Sequence, residues 1–220
     1  MNKTYLVTAG PTHEKIDPVR YIGNYSSGKM GFAIAERLAF LGAKVILIAG
    51  PVSLHCQNPT IQRIDVVSAS EMYEACLLHF PVCDGAVMVA AVGDFAPMVV
   101  DNQKIKRTSE NLFLELRPNP DIAATLGGIK RKDQILVGFA LETDSDEEKA
   151  MLKLHKKNLD LIVLNSLNDK GSGFQHDTNQ IKIFDQSGLI FTSGLKQKLE
   201  IAVDIVNKMS ETEDFLSGRR

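Results

Sequence analysis

Short apolar runs and helix-like patterns alternate along the chain. The apolar runs predict strands at residues 5–9, 44–49, 62–67, 85–91, 135–139 and 161–164. Apolar residues spaced three and four apart predict helices at residues 30–41, 68–80, 145–157 and 195–209, with another beginning near residue 119. This repeated strand–helix–strand order predicts an α/β protein with a Rossmann-like, doubly wound, mostly parallel sheet and flanking helices.

Two stretches depart from this alternation. Residues 104–107 and 111–116 flank a polar turn, which predicts a β-hairpin inserted beside a flap. Residues 180–191 predict a second hairpin. We expect a single domain over residues 1–210 and a flexible tail over residues 211–220.

A segment rich in glycine and serine precedes the first predicted helix. Ser26 and Ser27 are of the type that caps helix N-termini, and Gly28 and Gly31 let another group approach the backbone closely. A helix start of this kind suits an anion such as phosphate. The segment nearly matches a P-loop, but Met30 stands where that motif needs a hydroxyl for Mg²⁺. A capped helix with incidental glycines is the alternative that these residues leave open.

Composition narrows the class of protein. The formal net charge of −2 argues against nucleic acid as the main partner, and a hydrophobic content of 44% fits a globular core. No apolar run is long enough to span a bilayer and the N-terminus does not resemble a signal peptide, so we expect a cytoplasmic protein with no membrane partner. The three cysteines and five histidines show no metal-ligand spacing, and we expect reduced thiols.

Polar residues follow several of the predicted strands, where open parallel sheets bind their ligands. Asn119 as a cap and Pro120 at the first helical position predict one more helix N-terminus at this edge. The candidates are residues 8–12, residues 26–29, Asp94, residues 119–121, Phe139, Glu142 and Asn165, with Arg20, Lys104, Lys106, Lys153 and Lys157 around them. The basic residues suit a phosphorylated ligand, although a solvated lysine is the default interpretation of any one of them.

Together these segments resemble the phosphopantothenoylcysteine synthetase family, the second activity of the bacterial coenzyme A flavoprotein. The most specific part of the resemblance is Asp17-Pro-Val-Arg20 followed by Asn24-Tyr-Ser-Ser-Gly-Lys-Met-Gly31. The other matching segments, in the family's order, are residues 8–12, 48–53, 90–95, 104–106, 119–122 and 138–143, and Asn165. Ala96 departs from the basic residue that the family usually has there, and Pro11 stands where the family more often has Gly.

The resemblance implies a ligase that joins 4′-phosphopantothenate to L-cysteine. CTP would activate the carboxylate as an acyl-cytidylate with release of pyrophosphate, and the cysteine amine would then displace CMP. The implied catalytic residues are Lys104 at the triphosphate, Asn24 at the acyl intermediate, and Arg20, which with Asn24 would bind phosphopantothenate. The implied CTP-binding residues are Met88, Val89, Ala90, Asp94, Lys104, Asn119, Pro120, Asp121, Ile122, Phe139, Lys153 and Lys157.

The resemblance also implies the partners of the chain. Mg²⁺ is expected with the triphosphate, although the sequence identifies no metal ligand. A homodimer is expected, because family members pair. The flavin-binding decarboxylase half of fused members is missing, so the chain is either a free-standing synthetase or an excised domain, with a flavin-dependent decarboxylase as a separate or fused partner.

Two alternatives from other classes remain open. A Rossmann-type NAD(P)-dependent oxidoreductase would need a glycine-rich turn after the first strand and an acid at the end of the second. Residues 10–13 and 49–51 supply neither. A non-catalytic nucleotide-binding module would leave Lys104 and Asn24 without a reason to lie together.

Overall fold

The structure, a computed structural model, describes residues 3–107, 111–142, 147–166 and 177–216. In chain order the strands are β1 (Thr4–Ala9), β2 (His13–Lys15), β3 (Tyr21–Gly23), β4 (Lys44–Ala49), β5 (Ile61–Asp65), β6 (Gly85–Met88), β7 (Phe95–Pro97), β8 (Leu116–Pro118), β9 (Ile135–Glu142), β10 (Leu161–Ser166), β11 (Thr178–Asn179), β12 (Ile181–Asp185), β13 (Gly188–Thr192) and β14 (Lys196–Gln197). The helices are α1 (Lys29–Phe40), α2 (Ala69–His79), α3 (Ile122–Ile129), α4 (Glu147–Lys156) and α5 (Lys198–Leu216).

An eight-stranded sheet organises the described residues, in the order β13-β12-β10-β9-β6-β1-β4-β5. Parallel pairing runs from β5 through β4, β1, β6 and β9 to β10, and β12 and β13 add an antiparallel edge. The chain builds outward from β1 to β5 and then crosses back to β6 to build the other half. The boundary between β1 and β6 is therefore a topological switch point, where such sheets bind ligands. The predicted fold class is confirmed.

Helices cover both faces of this sheet. On one face, Ile34 of α1 and Ile205 of α5 belong to the same apolar core as Val7. On the other face, α2, α3 and α4 share a second core with Leu6. Neighbouring residues of β1 thus serve opposite cores, as the alternation of a strand requires, and this explains the apolar runs seen in the sequence. Across the described ranges, no helix has both the length and the apolar character needed to cross a membrane.

The prediction that Ser26 or Ser27 caps α1 was wrong. Gly28 occupies the N-cap position with a φ of 76°, and no side chain caps the helix. The Ser26 hydroxyl accepts the Gly28 N–H at 3.3 Å instead. Glycine suits this position because the conformation is left-handed and because an added Cβ would lie 3.2 Å from the Val52 side chain, a tight contact.

The predicted cap of α3 was also wrong. Asp121 is the N-cap residue, and its carboxylate accepts the Ala124 N–H at 3.0 Å. Asn119 points elsewhere, because its Nδ2 donates to the Gly93 carbonyl at 2.9 Å. Pro120 therefore precedes the helix instead of occupying its first position.

The hairpin predicted around residues 108–111 does not form in the described part of this region. Residues 104–107 and 111–115 are not in strands, and residues 108–110 lie outside the described residues. Instead, β8 pairs antiparallel with β7. The N–H of Ile105 donates to the Asp17 side chain, and its carbonyl accepts from the Arg20 side chain. The second predicted hairpin is confirmed as β12 and β13.

Helix α5 begins and ends later than predicted. The Tyr5 hydroxyl donates to Glu213 at 2.7 Å, and Lys3 pairs with the same carboxylate at 2.6 Å. These contacts anchor the last turns of α5 on the first strand, so residues 211–216, predicted to belong to a flexible tail, continue the helix. Residues 217–220, and the predicted start of α4 at residue 145, lie outside the described residues.

Candidate active site

Two buried threonines shape the loop that follows β6. The Thr8 hydroxyl oxygen accepts the N–H groups of Val89 at 3.0 Å and Ala90 at 3.1 Å. The Thr12 hydroxyl oxygen accepts the Gly93 N–H at 2.9 Å. These bonds replace strand pairing, so β6 ends at Met88 and not at residue 91 as predicted. The chain then pairs again with the segment that follows β1, because the Ala91 N–H donates to the Gly10 carbonyl at 2.9 Å and Ala91 forms a parallel bridge with Pro11.

Thr8→Val should measure how far this loop depends on the hydroxyl. The change keeps the shape of the side chain but leaves the N–H groups of Val89 and Ala90 without their acceptor. We expect the free energy of unfolding to fall by about 1–3 kcal/mol in urea denaturation. Thr8→Ser keeps the hydroxyl and should lose less stability. Equal stability of Thr8→Val and the parent would contradict the role of the hydroxyl in holding the loop.

A cavity of about 370 Å³ opens on one side of this loop, between β6, β9, α3 and α4. We call it the α3–α4 cavity. The residues in its wall that were predicted to bind CTP are Met88, Ala90, Asp94, Asn119, Pro120, Asp121, Ile122, Phe139, Lys153 and Lys157. Segments distant in sequence therefore meet here, while their contact with a nucleotide stays a prediction.

Asp121 and Lys157 form an ion pair at this cavity. The Lys157 Nζ lies 3.0 Å from the second carboxylate oxygen of Asp121. Burial acts to raise the pKa of Asp121, but the hydrogen bonds from Ala124 and Lys157 outweigh it and the pKa is lowered. The carboxylate is therefore ionised at neutral pH. Because both side chains are partly exposed, the pair contributes little to stability and mainly orients Lys157.

A close approach of α3 to the end of α4 sets the position of Lys157. A Cβ added at Gly127 would lie 1.9 Å from the Lys157 carbonyl oxygen, so only glycine fits. The Asn158 side chain donates to the Gly127 carbonyl at 2.8 Å and closes the same contact. The wall of the cavity is thus built by backbone packing as well as by its side chains.

A smaller cavity, of about 140 Å³, lies on the other side of the loop. We call it the α1–α5 cavity, because the first residues of both helices, Lys29 and Lys198, line it. Two helix N-termini at one cavity favour an anion there. The loop residues Val89 and Ala90 line it, and Ala90 and Phe139 are shared with the α3–α4 cavity. The two cavities are therefore neighbours.

Lys198 and Asn179 are wall residues that the sequence analysis missed. Lys198 is only 9% exposed, and its pKa is lowered by burial and then by nearby Lys29, against the opposing effect of Asp177. Neither missed residue belongs to a motif or follows a long apolar run, so no sequence signal marked them. Asn165 was a candidate, and its buried Oδ1 has no hydrogen-bond partner among the described residues.

The three residues predicted to be catalytic lie outside both cavity linings. The Asn24 Nδ2 donates to the Val92 carbonyl at 3.0 Å, which holds it on the loop that separates the cavities. Arg20 donates to the Ile105 carbonyl at 2.6 Å and is thereby joined to the segment of Lys104. The structure brings Arg20 and the Lys104 segment together, but it does not place Lys104 in either wall.

The described residues contain no group of three or more His, Cys, Asp or Glu side chains that could hold a metal ion. The cysteines are free thiols. Burial raises the pKa of Cys76 to about 12 and that of Cys83 to about 11, so both are protonated at neutral pH. Thiolate chemistry is therefore not expected from these two buried residues.

Comparison with known proteins identifies the family of this chain. A family model described as the DNA/pantothenate metabolism flavoprotein C-terminal domain matches residues 1–212. The chain belongs to this family. The resemblance recognised in the sequence is thereby confirmed.

Relatives agree with the assignment. The coenzyme A biosynthesis bifunctional protein CoaBC of Bacillus subtilis (strain 168) is 45% identical over 208 residues, covering 94% of this chain and 51% of that protein. A cysteine/cysteine sulfinic acid decarboxylase from an unknown prokaryotic organism is 53% identical over 204 residues, covering 93% of this chain and 57% of that protein. The chain thus spans about half the length of these relatives.

A solved structure has the same fold. The crystal structure of the C-terminal domain of CoaBC matches with a TM-score of 0.81 and 39% identity, covering 96% of this chain and 97% of that one. The sheet and its flanking helices described above therefore belong to a domain already known as a folded unit.

Proposed function

We propose that this domain joins 4′-phosphopantothenate to L-cysteine in coenzyme A biosynthesis, with CTP as the activating nucleotide. The observation that carries the proposal is the convergence of the predicted nucleotide residues on the α3–α4 cavity at the switch point. The name of the Bacillus subtilis relative, a coenzyme A biosynthesis protein, supports the pathway. Because the chain spans about half of that relative, its activity is part of the proposal.

The two cavities suit the two ends of a nucleotide. The α3–α4 cavity would take the cytosine and ribose beside Phe139, which lines both cavities. The triphosphate would pass Ala90 towards the N-termini of α1 and α5, where Lys29 and Lys198 line the wall. Both walls carry lysines and a helix N-terminus, but of the two the α1–α5 cavity has two helix N-termini, which favours the anionic end of the ligand there.

The chemistry needs cations and donors at two steps. In the first, the phosphopantothenate carboxylate displaces pyrophosphate from the α-phosphorus of CTP, and Lys104 would neutralise charge that accumulates on the phosphates. In the second, the cysteine amine attacks the acyl carbon, loses a proton and expels CMP. The Asn24 amide would donate to the anhydride oxygens, and Arg20 would bind the phosphate of phosphopantothenate through Nη1, since Nε and Nη2 donate to Asp17 and Ile105.

Mg²⁺ would arrive with the triphosphate. This ion commonly keeps several waters and uses one or two carboxylates together with substrate phosphates, so no protein-built cage is required. Asp121 is already engaged by Lys157, whereas Asp94 lies in the same wall and is assigned here to the nucleotide. The residues present fit a nucleotide-borne ion, and its protein ligands stay unassigned.

Ligand-induced stabilisation separates this function from its alternatives. We expect CTP with Mg²⁺ to raise the melting temperature and NAD to leave it unchanged, because a ligand stabilises the state that it binds. A rise with NAD alone would favour an oxidoreductase. Stabilisation by CTP without pyrophosphate release, in the presence of phosphopantothenate, would favour a non-catalytic module.

The preference for one nucleotide base over another is tested by measuring the rate of pyrophosphate release. We expect faster pyrophosphate release with CTP than with ATP, since a site that hydrogen-bonds the pyrimidine edge leaves polar groups unpaired with the wrong base. Equal rates with the two nucleotides would contradict this preference while leaving the ligase reaction intact.

We also propose that a flavin-dependent decarboxylase acts with this domain, either fused to it or as a separate protein. The family description names a flavoprotein, and one relative that is 53% identical is named a decarboxylase. This chain matches about half of that relative, so the decarboxylase activity itself is not assigned to it.

A homodimer is proposed from exposed apolar surface. Phe95 is 52% exposed, Val99 76% and Phe113 86%, all near β7 and β8. Apolar surface of this kind commonly marks a protein contact. Sedimentation equilibrium should give twice the chain mass of 24.2 kDa, and a monomer alone at micromolar concentration would contradict the proposal.

A further inference from the structure

The buried carboxylate of Asp17 accepts hydrogen bonds from two segments of the chain, the turn of Arg20 and the segment of Ile105. Asp17 is 1% exposed. Its Oδ1 accepts the backbone N–H groups of Val19 at 2.8 Å and Arg20 at 2.9 Å. Its Oδ2 accepts the Arg20 side chain through Nε at 3.0 Å and Nη2 at 2.6 Å, and also the Ile105 N–H at 3.1 Å. One carboxylate thus joins the turn of Arg20 to a residue 88 positions after Asp17 in the chain.

Arg20 completes the contact from the other side. Its Nη2 donates to the Ile105 carbonyl at 2.6 Å, so both backbone groups of Ile105 are held by side chains. A further bond, from the Asp101 N–H to the Ile16 carbonyl at 2.9 Å, attaches the start of the same segment. Lys104 lies between these two attachments, on a stretch with no regular secondary structure.

We propose that Asp17 is a positioning residue that fixes the Lys104 segment to the Arg20 turn and so couples the two substrates. This rests on the proposed function. Phosphopantothenate that binds Arg20 then also orders Lys104 for the nucleotide, and CTP that engages Lys104 orders Arg20 in return. Coupling of this kind is reciprocal, so each ligand strengthens the binding of the other by the same factor.

The charge of Asp17 suits this role. Burial acts to raise the pKa of Asp17, but the hydrogen bonds from Val19, Arg20 and Ile105 outweigh it and hold the pKa well below its usual range. The group therefore stays an acceptor at any working pH, and the contact does not open by titration.

Asp17→Asn is the first test. An amide of the same shape must aim its NH₂ either at the N–H groups of Val19 and Arg20 or at the Arg20 guanidinium and the Ile105 N–H, and each choice sets donor against donor. We expect kcat/KM for pyrophosphate release to fall by up to about a hundredfold, as misplacement of a catalytic group can cost. The increase in CTP affinity caused by phosphopantothenate should disappear as well.

A double-mutant cycle separates positioning from general damage. If Asp17 acts through Lys104, Asp17→Asn should reduce the rate little further in a Lys104→Gln background, because the group that it positions is already gone. Full additivity of the two losses would overturn the proposal. Asp133→Asn is the matched control, since it changes an exposed acid just before β9, away from the Lys104 segment, and should stay within about twofold of the parent.

Hydrogen exchange tests the contact without any activity. The Ile105 amide should exchange faster in Asp17→Asn than in the parent and in Asp133→Asn, and an unchanged rate at Ile105 would overturn the proposal. If Asp17→Asn melts below the assay temperature, Ile105→Pro carries the kinetic test, because it removes the N–H that Asp17 accepts and keeps the carboxylate. If the parent protein releases no pyrophosphate from CTP, the proposed function is refuted. The hydrogen-exchange rate of the Ile105 amide would still test the contact between Asp17 and Ile105.

Discussion

Lys104→Gln should reduce the release of pyrophosphate from CTP and phosphopantothenate by about a hundredfold or more. Glutamine keeps most of the length of the side chain and removes only the cation that would face the triphosphate. The substitution should not disturb the segment, because Lys104 is exposed and the segment is held through Ile105 and not through Lys104 itself. The fold should therefore survive the change.

Rapid quench with labelled CTP is the measurement for this variant. It reports the acyl-cytidylate directly, with and without cysteine. Lys132→Gln is the matched control, since Lys132 is exposed just before β9, at the end of the strand opposite to the cavities, and it should react at the parental rate. If Lys104→Gln forms the cytidylate at the parental rate, Lys104 has no catalytic role in the activation step.

Asn24→Asp should block the second step while activation persists. The Asn24 Nδ2 donates to the Val92 carbonyl at 3.0 Å, and a carboxylate offers no such donor. The new negative charge would also face an anionic intermediate where the amide was expected to donate. We expect transfer of the acyl group to cysteine to slow by about a hundredfold, the usual cost of one lost donor at a developing charge.

The same quench experiment distinguishes the steps for Asn24→Asp. The cytidylate should accumulate when cysteine is present, which neither the parent nor Asn207→Asp, an exposed control on α5 with the same change of charge, should show. Normal transfer to cysteine would refute the division of roles. Unchanged melting temperature and CTP affinity in Asn24→Asp would separate lost chemistry from a loosened loop.

Sequence patterns are sufficient to predict the sheet and the edge at which the site lies. Apolar runs such as those of β1 and β4 must be buried on both faces, and helical patterns between them leave few arrangements other than a doubly wound sheet. Because parallel strands end at one edge, the polar residues that follow them had to meet there. The α3–α4 cavity brings Asp94, Asn119 and Lys157 together for this reason.

The partner of each polar group, in contrast, depends on how the chain packs. Asn119 has the residue type of a cap, but the Gly93 carbonyl, brought near only by folding, takes its amide, and Asp121 caps α3 instead. The alternating segment around Ile105 forms no hairpin, because Asp17 and Arg20 satisfy its backbone groups from a distant turn. Lys198 reaches the α1–α5 cavity only because α5 packs beside α1. Side-chain contacts across long sequence separations depend on the packed geometry, and local patterns carry no information about it.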